Sequence, residues 1–146
     1  MDRKIFTLEE ANRLVPRISS LFSEIFNINA RIKSLSKDIE GLLEIWGEAV
    51  MRIGHQDNAF YVERVEKKNK AIDELKRRIE AIQSVGCIVK NIEQGLIDFV
   101  HDNGEDVIFL CWKYGEDSIR HWHGLQDGYV GRRPLHELQM RRDLTT

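Results

Sequence analysis

Ser84-Val85-Gly86-Cys87-Ile88-Val89-Lys90 is where the sequence changes its period. Upstream of Val85 the apolar residues keep helical spacing. Downstream they fall into short blocks separated by glycine-bearing turns, as strands of period two require. Helices followed by a small sheet define an α+β chain, and 146 residues suit one domain, 1–146, with a helical subregion over 7–84 and a sheet subregion over 86–146.

Working back from Val85, Leu14, Ile18, Leu21, Ile25, Ile28, Ile32, Leu35, Ile39, Leu42, Trp46, Ala49 and Ile53 recur at alternating spacings of four and three. That is a heptad seam, and it predicts a long coiled-coil-like helix. Thr7-Leu8-Glu9-Glu10 has the form of a capping box, which starts this helix at Leu8. Pro16 removes one amide bond, and Gly41 and Gly47 each weaken the helix by roughly 1 kcal/mol. Gly54 is a suitable left-handed end, His55 and Gln56 supply a turn, and Asp57 can cap a second helix. Tyr61, Val65, Ile72, Leu75, Ile79 and Ile82 form that helix's apolar stripe. So short a turn makes the two helices an antiparallel hairpin.

Forward of Val85, Cys87 to Ile92, Leu96 to His101 and Asp106 to Lys113 read as three strands of an antiparallel meander. Val107 to Trp112 is apolar on both faces, as a strand covered on both sides must be. The hairpin is one cover. The other is the C-terminal segment, with Trp122, Leu125, Tyr129, Leu135 and Leu138, or a second subunit. Asp117 or Ser118 can cap a short helix running through His123.

Composition narrows the function. The formal net charge of −2 argues against nucleic-acid or anionic-membrane partners. No apolar run approaches the ~18 residues of a spanning helix. Met1-Asp2-Arg3-Lys4 opens a polar segment unlike a signal peptide, and two cysteines without CxxC spacing read as reduced and buried; both point to the cytoplasm. A straight helix from Leu14 to Ile53 is ~60 Å long at 1.5 Å per residue, longer than its partners can cover. Its N-terminal half, with Leu14, Ile18, Leu21, Phe22, Ile25 and Phe26, must meet the sheet or another chain, which makes a homo-oligomer the expected partner.

Among residues that carry chemistry, Asp98 stands out because a carboxylate inside Leu96-Ile97-Asp98-Phe99-Val100 needs a donor. Lys90, Lys113, Arg132 and Arg133 are the candidates. Asp98, Glu116, His123 and Arg132 around a Trp112 wall also have the makings of a ligand site. His121 and His123 point ~200° apart on a helix, so no metal ligand and no cofactor is assigned. Cys111 has no activating base in the sequence and reads as inert.

Phe6-Thr7-Leu8-Glu9-Glu10-Ala11-Asn12, Gly95-Leu96-Ile97-Asp98-Phe99, Leu110-Cys111-Trp112-Lys113-Tyr114-Gly115-Glu116, Trp122-His123 and Gly128 through Gly131-Arg132 together make the chain resemble a bacterial family known as a domain of unknown function. The resemblance implies helices first and a small sheet after, and no particular reaction. It places Asp98, Glu116, His123 and Arg132, but not His121, at family motif positions. The leading functional expectation is a self-associating interaction module whose contact element is the hairpin. The alternative is a small-molecule or metal-binding protein, or an enzyme, using the polar residues beside Trp112.

Overall fold

The computed structural model describes residues 4–137, so Leu138 lies outside the described residues. The chain is α+β. Helix α1 (Leu8–Trp46), a 3₁₀ turn (Gly47–Met51) and helix α2 (Asn58–Gln83) precede strands β1 (Ile88–Asn91), β2 (Leu96–Asp102), β3 (Val107–Lys113), β4 (His121–His123) and β5 (Arg133–Pro134). The strands form one antiparallel meander in chain order. Among the described residues it has five strands where three were expected. No described helix is long and apolar enough to cross a membrane.

Two compact units result. One holds the chain up to Phe22 and from Glu80 onward; the other is Ser23–Ile79. The helical subregion 7–84 is thus divided, because the start of α1 and the end of α2 share a core with the sheet.

In the first unit the predicted capping box is present. The Thr7 N–H donates to Glu10 Oε1 at 2.9 Å and the Glu10 N–H to Thr7 Oγ1 at 3.1 Å. Just before it, the Phe6 N–H donates to the Val100 carbonyl at 2.7 Å, and Ile5 bridges Val100 in parallel, extending the β1 side of β2. From Ala11 onward the helix buries Ala11, Val15, Ile18 and Phe22. This stripe is offset from the predicted seam: Leu14 and Leu21 are only half-buried. The offset has a cause, since the surface to be covered here is a sheet and not a second helix.

Alternation along β2 and β3 makes the two sheet faces unlike. Ile97, Phe99, Leu110 and Trp112 line one face, and all are fully buried. Phe6 packs edge-on against Phe99 with centroids 5.0 Å apart, and Phe22 lies 6.1 Å from Trp112. The apolar start of α1 therefore finds its cover within the chain. That removes the argument from an uncovered helix for a second subunit. At the end of α2, Gly86 adopts φ +103°, and a Cβ there would stand 3.2 Å from both Lys4 Cβ and Phe6 Cζ. Only glycine accepts both the conformation and the approach.

The second unit is the hairpin. Glu24 pairs with Arg78 at 2.9 Å, Arg31 with Glu74 at 2.8 Å and Asp38 with Arg64 at 3.5 Å, which fixes the antiparallel register of α1 and α2. Such exposed pairs contribute at most about 1 kcal/mol each. The first helix stops at Trp46 and does not reach Ile53. Gly47, at φ +60°, breaks it, and Val50 becomes the buried residue of the turn in place of Trp46 and Ile53. Asp57 accepts the Trp46 Nε1–H at 2.8 Å, Asp57 N–H donates to His55 Nδ1 at 3.0 Å, and Asn58 Nδ2 donates to the Val50 carbonyl at 3.0 Å.

Phe22 tests the assignment of α1 to the sheet core. Phe22→Ala should destabilise the protein by about 3–5 kcal/mol in urea denaturation, the usual cost of emptying a buried aromatic site. A loss below about 1 kcal/mol would show that this ring is not packed on Trp112.

Candidate functional site

The face opposite Phe99 and Trp112 is polar at its centre. Asp98 pairs with Cys111 across β2 and β3, and Cys111 with His121 across β3 and β4; Phe109 pairs with His123. Side chains in register share a face, so Asp98, Cys111, His121 and His123 gather on one side of the sheet. Asp98, Cys111 and His123 are 1%, 0% and 2% exposed.

This arrangement corrects three expectations. The segment through His123 is a strand, not a helix. The edge of β3 offers it ladder bonds, and the Ile119 N–H, which an Asp117 cap would accept, is bound instead to Asn12 Oδ1 at 2.7 Å. The divergence of His121 and His123, which was the ground for assigning no metal ligand, therefore does not hold. Second, Asp98 is partnered by none of Lys90, Lys113, Arg132 or Arg133; His123 Nε2 stands 3.0 Å from Asp98 Oδ1. Third, Trp112 is not a wall of this site. It pairs with Ile97, one residue out of phase with Asp98, and so belongs to the opposite face. Its Nε1–H donates to the Glu116 carbonyl at 2.9 Å.

His123 is oriented from both ends. Nδ1 lies 2.9 Å from the Gly124 carbonyl. A carbonyl can only accept, so Nδ1 carries a proton and Nε2 faces Asp98. Phe109 covers the ring at 5.2 Å. One proton then sits between Nε2 and Asp98 Oδ1, since two bare acceptors at 3.0 Å would repel. The other oxygen, Asp98 Oδ2, is buried without a hydrogen-bond partner. Native interiors seldom leave such an atom alone.

Glu116 and Arg132 form a second group beside the first. Glu116 Oε1 accepts the Lys113 N–H at 2.7 Å and an Arg132 Nη2–H, while Oε2 stands 3.2 Å from His121 Nδ1. Arg132 Nη2 also donates to the Cys111 carbonyl at 3.3 Å, and the guanidinium lies 5.0 Å from the Tyr129 ring. Burial works against the Arg132 charge, but Glu116 and Cys111 together more than offset it and hold the guanidinium above its usual range. Of the residues predicted for a ligand site, Asp98 and His123 are thus in direct contact, as are Glu116 and Arg132. Cys111 was missed. Asp102 pairs with Val107, so the loop 103–106 sets Asp98 opposite Cys111, whereas the turn over 102–105 read from the sequence sets it opposite Phe109.

Cys111 is not an activated nucleophile. Burial, then the negative Asp98 beside it, push its thiol up to about 12, and the weaker pull of Arg132 does not reverse this. Cys87 is likewise raised to about 12 by burial, with its Sγ donating to the Ile82 carbonyl at 3.3 Å.

An α+β fold with a buried carboxylate, thiol and imidazole on the outer sheet face thus describes the chain. It belongs to the uncharacterized conserved protein family DUF2203, whose model matches residues 4–135. No curated protein and no solved structure matches the chain.

Two outcomes follow from this geometry. Asp98→Ala leaves the His123 proton without its acceptor and should cost on the order of 3 kcal/mol in urea denaturation, as breaking a buried pair does; unchanged or increased stability would mark the carboxylate as held there at a cost to the fold. After chelator treatment, iodoacetamide at pH 8 should leave both cysteines unmodified in folded protein and modify both in urea, because the thiolate population is negligible until the pH nears 12. Rapid labelling of either in folded protein would contradict the burial assigned to it.

Proposed function

We propose that this protein is a self-associating interaction module that makes its contact through the tip of the helical hairpin. One observation carries the reading: half of the large apolar residues that stand exposed among the described residues fall between Ile45 and Val62, with Ile45 72% and Ile53 98% exposed. Trp46, Met51, Phe60 and Val62 complete the set. Exposed apolar residues concentrated in one place favour association. The tip is also pre-ordered, through the bonds that Asp57 and Asn58 make to Trp46, His55 and Val50, so little ordering entropy opposes binding. A second copy suits the tip because exposed residues of both signs, Glu44, Glu48 and Arg52, lie in the same stretch as the apolar ones. A two-fold axis can set Arg52 of one protomer against the acidic residues of its partner. Two free, buried cysteines suit a reducing, cytoplasmic setting.

A second reading, a small-molecule site at Glu116 and Arg132, is favoured by Arg132 Nε, which is buried without a hydrogen-bond partner next to the Tyr129 ring. An anion is the ligand class that such a donor recruits.

Sedimentation equilibrium at micromolar concentrations tests the first reading. Wild type should sediment as a dimer, and Ile45→Glu with Ile53→Glu as a monomer with unchanged circular dichroism. A wild-type monomer at every concentration, or a dimer that survives both substitutions, would overturn it.

A further inference from the structure

We infer that Asp98, Cys111 and His123 form a binding site for a borderline divalent transition metal ion of the zinc class. The inference is independent of both readings above. The three residues come from three adjacent strands, and one potential ligand atom from each lies within 4.8 Å of the other two. Carboxylate oxygen, thiolate sulfur and imidazole nitrogen are the donor types zinc takes, at ~2.0–2.3 Å from the ion. Ligand atoms at those bond lengths stand ~3.3–3.8 Å apart in a tetrahedron, so side-chain adjustments of ~1 Å close the site without moving a strand.

Two further observations point to an ion. His123 donates Nδ1–H to the Gly124 carbonyl, which aims Nε2 inward; metal-bound histidines are held by such an outer bond. Asp98 Oδ2 is a buried carboxylate oxygen with no hydrogen-bond partner, on a side chain 1% exposed, and coordination gives it one. Charge agrees as well. An ionised Asp98 and Cys111 neutralise a divalent cation, and a bound ion displaces two protons, that of the Cys111 thiol and the one shared by His123 Nε2 and Asp98 Oδ1. The positive Arg132 nearby is already committed to Glu116 and to the Cys111 carbonyl. Three protein ligands leave one tetrahedral position, and the Arg132 charge beside Cys111 favours hydroxide or a small anion there.

Cobalt(II) is the probe. Titrated into chelator-treated wild type, it should bind one ion per chain, with a near-ultraviolet thiolate-to-metal band and the visible bands of tetrahedral cobalt, all bleached by zinc. With two cysteines in the chain, Cys87→Ser should keep the thiolate band and Cys111→Ser should lose it. His123→Asn should weaken cobalt binding at least about tenfold. The assignment survives a Cys111→Ser variant that does not fold, because a thiolate band in Cys87→Ser can come only from Cys111. Absence of a thiolate band in wild type, its loss in Cys87→Ser, or unchanged affinity in folded His123→Asn would each overturn the inference.

Discussion

The pairing of β2 with β3 is the constraint on which the first unit rests. Seven residue pairs run without interruption from Leu96 and Lys113 to Asp102 and Val107. Side chains alternate along both strands, so a slip of β2 by one residue would send Ile97 and Phe99 to the outer face and turn Asp98 toward the helix, away from Cys111. Asp98 is buried as it stands, but beside His123; the slip would bury it without that partner, which is far costlier than any ladder bond gained. The turn supports the same register: Asn103 Oδ1 accepts the N–H groups of Glu105 and Asp106, and Asp102 Oδ1 accepts that of Gly104. Apolar packing on one face and the polar group on the other are consequences of a single alignment.

Much of the fold was legible because it depends on local chemistry. Thr7 and Glu10 announce a helix start through two hydrogen bonds that span only three residues. The change of period near Val85 separates helices from strands in the same way. The end of α1 was less legible. Gly47 and Gly54 are both suitable stops, and the choice between them depends on Val50 filling the turn, which spacing does not reveal. β4 was not legible at all. Three residues are too few to express a period, and His121-Trp122-His123 becomes a strand because β3 has a free edge beside it.

The candidate site divides along the same line. Asp98 declares itself, since an acid in an apolar strand must have a partner. That the partner is His123, 25 residues away, depends on β4 and so could not be read from spacing. Trp112 was placed with the polar residues as an aromatic wall, yet it pairs with Ile97, the neighbour of Asp98, and neighbours in a strand take opposite faces. Glu116 proved to be a hub: its side chain joins Lys113, His121 and Arg132, and its carbonyl accepts the indole of Trp112. It ties the two faces of the sheet together at the end of β3.

The outer strands of the meander bear on how copies of this protein meet. β1 is four residues long, is interrupted by a register shift between Val89 and Asn91, and carries Lys90. β5 is two residues long and consists of an arginine and a proline, which has no amide hydrogen to offer. Short, bulged, charged or proline-bearing margins are how soluble sheets avoid recruiting strands from their neighbours. A crowded population of this protein is accordingly poorly equipped to grow by sheet extension, the route that leads toward fibrils, and any ordered assembly is left to side-chain contacts between helices and loops.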